Sequence, residues 1–121
     1  MTGEMEYARA ILDGEEAVTP RRIRIAAFLL RQALEAEIDA YCELLVAAMP
    51  FPVRMRSRLA VLHALDRTGF NRSAEYAWNA LSRACHHHAY ELSPTISELR
   101  HLHSKVVALA ALRAETVAAR R

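Results

Sequence analysis

Apolar residues recur along this chain at three- and four-residue steps, with polar positions between them. From Ile23 the series Ala27, Leu30, Leu34, Ile38, Tyr41 and Leu45 marks one face of a long helix. Ala26, Leu29, Ala33, Ala40 and Leu44 widen that stripe until it can face two or more neighbours. Thr19-Pro20 predicts where the helix starts, with Thr as N-cap and Pro at the first helical position. Met49-Pro50-Phe51-Pro52 predicts its end near Ala48, because a residue before Pro is pushed out of the α region. Upstream, residues 4–12 read as a short helix with Tyr7, Ile11 and Leu12 on its apolar side, broken at Gly14.

Downstream, a helix is predicted over residues 53–68, with Leu59, Leu62 and Leu65 inward and Gly69 as its C-terminal cap. Asn71 is the expected N-cap of the next helix, which runs to Tyr90 or Glu91 on a stripe of Ala74, Ala77, Trp78, Leu81, Ala84 and Cys85. Ser93-Pro94 repeats the N-cap-plus-Pro signal, and Thr95 to Glu98 has capping-box spacing. The last helix runs to about Ala118 with Ile96, Leu99, Leu102, Val106 and Leu109 inward. No strand pattern survives. The expected fold is all-α: an antiparallel four- to five-helix bundle over residues 19–121, preceded by an acidic N-terminal segment, 1–18, with a short helix.

Composition sharpens this picture in three ways. Half the residues are apolar and Gly is scarce, which excludes a disordered chain. No apolar run reaches the roughly 20 residues of a membrane span, and the first sixteen residues carry five acids where a signal peptide would be apolar. Cys42 and Cys85 sit in apolar helical patterns and read as free thiols. The expectation is a cytoplasmic protein with no membrane association. The net charge of +2 is modest, but the acidic first sixteen residues mask a basic remainder. Fifteen of the chain's sixteen basic residues are Arg, the better fork for phosphate. Arg31 and Glu35 are spaced to pair at i, i+4 on the wet side of the long helix. Arg54, Arg56 and Arg58 open the following helix, where cations oppose the macrodipole; a solvated turn or an anionic partner would account for them.

Candidate chemistry concentrates between Trp78 and Leu99, which holds the only Trp and three consecutive His. At about 100° per residue, Asn79, His86, His87 and Tyr90 share the side of Arg83, whereas His88 falls about 140° away on the core edge. An arginine can hold a phosphate and stabilise its charge in the transition state. An imidazole can take or give a proton near neutral pH. A zinc site is the rival reading, from Cys85, His86, His87 and His88 with His101 and His103. Consecutive helical residues fan out, however, so no more than one or two could face one ion, and neither metal nor cofactor is expected. Structural roles are also open: Arg83 can pair with Glu91, the His run can cap helix carbonyls, Trp78 can anchor the core, and His63 can be an interior or edge residue.

Arg83-Ala-Cys-His-His-His88 resembles the mark of the HEPN domains: an Arg, four to six intervening residues, then a His, late in a helical bundle. The order of elements over residues 20–118 is similar too, and Leu81 to Leu92 followed by Pro94-Thr95 looks like a branch of small helical proteins from actinobacteria. The resemblance implies a HEPN-like fold and a homodimer that brings two motif helices into one cleft. It implies a metal-independent endoribonuclease of toxin or defence type, with Arg83 on the scissile phosphate and His88 activating the ribose 2′-OH or protonating the leaving oxygen. Asn79, His86, His87 and Tyr90 would bind alongside. RNA or a nucleotide, and a cognate antitoxin or regulatory protein, are the implied partners. Ala84 departs from the pattern, since active members often carry a polar residue there; other HEPN domains are inactive and bind nucleotides, RNA or protein.

Overall fold

The computed structural model describes residues 3–14, 19–46, 54–86 and 94–120. Among them the chain is all-α, with α1 (Gly3–Leu12), α2 (Pro20–Leu45), α3 (Met55–Leu65), α4 (Phe70–Cys85) and α5 (Ile96–Ala119), and no strand. No helix among the described residues is long and apolar enough to cross a membrane.

The broad apolar stripe of α2 makes it the spine, in contact with every other helix. Ala26, Ala27, Leu30, Leu34, Ile38 and Tyr41 are all buried, and Thr19 caps the helix by accepting the Arg22 N–H at 3.2 Å. On α4 the buried positions are Phe70, Ala74, Ala77, Leu81 and Ala84; the three alanines let its backbone approach α2 closely. The acidic N-terminal segment contributes an apolar face of its own: Met5, Ala8, Ile11 and Leu12 join the same core against α2 and α5.

Cross-helix pairs give the directions. Tyr41 stacks on Phe70 with centroids 4.0 Å apart, and Arg31 lies over Trp78, so α2 and α4 run antiparallel. Arg113 pairs with Glu37 and Arg120 donates to the Leu44 carbonyl, so α2 and α5 run parallel. This departs from a bundle antiparallel throughout. The reason is the course of α3: Arg58 near its start meets Glu35 and Asp39, and Asp66 at its end meets Tyr41, so α3 advances along α2 in the same sense and α4 is the first to return. One full-length return, α4, therefore separates the two long helices.

Several boundaries differ from the sequence expectation. α3 stops at Leu65, which is 48% exposed rather than inward. Gly69 does not cap α3; it stands at the N-cap of α4 with φ 91°, and Asn71 lies inside α4. The Asp66 side chain causes the change: its carboxylate accepts the N–H groups of Thr68 and Asn71, closing the turn from its own start. α4 ends at Cys85, not Tyr90, because His86 (ψ 57°) leaves the helical region while its N–H still reaches the Ser82 carbonyl. Thr95, not Ser93, caps α5, accepting the Glu98 N–H at 3.0 Å, so Pro94 precedes the helix.

Candidate functional site

Helix α4 positions the sequence-predicted residues that can be described. Its inward stripe is fixed by the core, which leaves Asn79 and Arg83 on the exposed side one turn apart. His86, also exposed, is the C-cap: its N–H still reaches the Ser82 carbonyl, and its ψ of 57° turns the chain out of the helix after it. His87, His88 and Tyr90 lie outside the described residues, as does Glu91. Of the two residues Arg83 and His88, the described residues thus include only Arg83, in the last turn of α4. Among the described residues no carboxylate pairs with it. Ala84, beside it, is buried against the core.

Two side chains behave differently from their sequence reading. Arg31 does not pair with Glu35. Its guanidinium lies 4.5 Å from the centre of the Trp78 ring, while Glu35 sits 3.7 Å from Arg58. Stacking on a half-buried indole holds a weakly hydrated guanidinium better than an exposed i, i+4 pair does. Trp78 is only partly buried: it packs against the core and also lines a surface groove. Burial pushes the Cys85 thiol above its ordinary range, although the neighbouring Arg31 pulls it back. Cys42 is buried, donates to the Arg58 carbonyl, and is pushed up to about 11 by burial and by Asp39. Both cysteines are free thiols.

The groove lies between α3 and α4 and is lined by Arg56, Leu59, Ala60, His63, Glu75, Trp78 and Asn79. Of the residues expected at a site it takes in Asn79; Arg83 and His86 lie further along toward the end of α4. The sequence pointed to the basic start of α3 but not to its role. Arg58 is consumed by Asp39 at 2.9 Å, whereas Arg56 and His63, two turns apart on α3, face the groove. No three His, Cys, Asp or Glu residues gather in metal-binding range among the described residues. His101 instead packs edge-on against Tyr76.

These features define an all-helical bundle with a groove of mixed charge, lined by Arg56, His63, Glu75 and the Trp78 ring, with an exposed arginine one turn beyond Asn79. Comparison with protein-family models, with characterised proteins and with solved structures finds no match to this chain.

Proposed function

We propose that this is a HEPN-like RNA- or nucleotide-directed protein, acting as a homodimer, in which Arg83 holds a phosphate. One observation carries the reading: Arg83 stands exposed at the end of α4, without a carboxylate among the described residues, one turn beyond Asn79 in the groove. A guanidinium without a carboxylate among the described residues can offer two parallel N–H donors to a phosphate. Exposed arginines are common; the groove one turn before this one gives a nucleotide a place to lie.

Catalysis is the second reading, favoured by the spacing from Arg83 to His88. In that reading His88 moves the proton of the ribose 2′-OH, which attacks the adjacent phosphorus. The 5′-oxygen leaves with a proton, and a 2′,3′-cyclic phosphate remains. Arg83 stabilises the charge that develops on the phosphoryl oxygens.

The test is incubation of untagged protein with a mixed structured and single-stranded RNA pool in EDTA, beside Arg83→Ala. Cleavage by wild type alone, leaving cyclic-phosphate ends, supports the catalytic reading. Retention of RNA without cleavage, lost in Arg83→Ala, supports the binding module. Equal behaviour of the two proteins, or no interaction with RNA, contradicts both. Sedimentation at micromolar concentration checks the dimer, and a monomer there contradicts that part.

A further inference from the structure

The α3–α4 groove carries a more specific chemistry than phosphate binding. Its volume of about 580 Å³ suits a single nucleotide. Its walls differ in kind. The α4 wall bears an aromatic ring, a carboxylate and a carboxamide in Trp78, Glu75 and Asn79. The α3 wall bears the cationic Arg56 and the imidazole of His63.

Trp78 is held in place from outside the groove, because the Arg31 guanidinium covers its ring at 4.5 Å. A braced indole lining a groove is a platform on which any nucleobase can stack. Glu75 then decides which base. A carboxylate only accepts hydrogen bonds, and it repels phosphate. It therefore fits a ligand that brings donors to it. Among the four RNA bases, guanine alone presents two adjacent donors, N1–H and N2–H₂, matching the two oxygens of a carboxylate. Asn79, with a donor and an acceptor, serves the remaining edge.

The hairpin orients such a ligand. α3 and α4 are joined by the short turn over residues 66–69, so the beginning of α3 lies toward the end of α4. Arg56 therefore stands at the Arg83 end of the groove, and His63 with Glu75 at the turn end. We propose that the groove is a guanine subsite: the base lies against Trp78 with its donor edge on Glu75, and its phosphate is held by Arg56 on the way to Arg83. This rests on the RNA- or nucleotide-directed reading above and gives it a base preference.

The chain contains a single Trp, so its intrinsic fluorescence reports directly on the groove. The probes are GMP and the tetraribonucleotide UUGU, beside AMP, UUAU and inorganic phosphate. Saturable quenching by GMP or UUGU is expected, with AMP and UUAU weaker by about tenfold or more. Quenching by UUGU without GMP identifies RNA as the source of the base; quenching by both admits the free nucleotide. Glu75→Gln should abolish the preference for guanine over adenine, and Arg56→Ala should weaken both. Both side chains are exposed, and circular dichroism checks that each variant keeps its helices. Equal quenching by guanine and adenine probes, quenching matched by inorganic phosphate, or no quenching overturns the proposal. If RNA still binds in an Arg83-dependent way, the groove assignment alone has failed. If RNA does not bind at all, the functional reading has failed with it.

Discussion

Asp66 closes the α3–α4 hairpin with one carboxylate. Its Oδ1 accepts from the Tyr41 hydroxyl at 3.0 Å, the Thr68 hydroxyl at 2.8 Å and the Thr68 N–H at 3.0 Å, and its Oδ2 accepts from the Asn71 N–H at 2.9 Å. Burial pushes this carboxyl up, but the hydrogen bonds from Asn71, Thr68 and Tyr41 outweigh it and hold the group below its ordinary 3.8. The depressed folded value means that its contribution is complete above the unfolded value and is lost as pH falls through the folded one. Asp66→Ala should cost about 2 kcal/mol at pH 7, roughly 8 °C in Tm. In melts repeated below pH 3.8, the gap between variant and wild type should narrow; a constant gap would contradict this account. At Gly69, with φ 91°, Ala should cost about 1 kcal/mol although nothing crowds its Cβ, because the strain is in the backbone. The sequence reading put the cap at Asn71 and the break at Gly69. Residue type marked both positions, but the reach of a side chain across a turn is not a property of either.

At the scale of helices, the pairing of α2 with α5 depends on a buried charge. Glu37 is 8% exposed, between alanines of α2 and the Arg113 side chain of α5. Its hydrogen bond raises the Arg113 guanidinium further above its usual value, against the pull of burial. Removing Arg113 strands Glu37, whose side chain is the buried one of the two. Arg113→Leu should therefore lose about 3 kcal/mol in urea denaturation, while Glu37→Leu with Arg113→Leu should lose less than the single variant. A double variant as unstable as the single one would show that the pair itself, not relief of a stranded charge, supplies the stability. Helix existence, type and buried face were largely legible: the inward residues of α2 and α5 follow directly from three- and four-residue spacing. Their parallel course was not: it is visible only in the cross-helix pairs of Glu37 with Arg113 and of Leu44 with Arg120, which no local pattern encodes. The length of α4 was also misjudged: residues 86–91 continue a helical composition, but His86 already departs from helical angles.

For the whole molecule, the basic charge outside the acidic N-terminal segment becomes informative only once folded. Arg58 and Arg113 are spent on Asp39 and Glu37, and Arg100 on Asp13 at 2.7 Å. Arg56 and Arg83 have no such partners among the described residues, and the fold leaves them on the same hairpin. That Asn79 and Arg83 share one exposed face of α4 was legible from their four-residue spacing. Arg56, His63 and Glu75 were not, because their juxtaposition is made by the hairpin. The central claim is that Arg83 engages the phosphate of RNA. Its most direct test is the equilibrium binding of a fluorescein-labelled single-stranded RNA to wild type and Arg83→Ala, by anisotropy, across a series of salt concentrations. The account expects binding that weakens with salt, and an Arg83→Ala curve about tenfold weaker whose salt slope is shallower by about one contact. Identical slopes and affinities for the two proteins, or no binding by either, would contradict it.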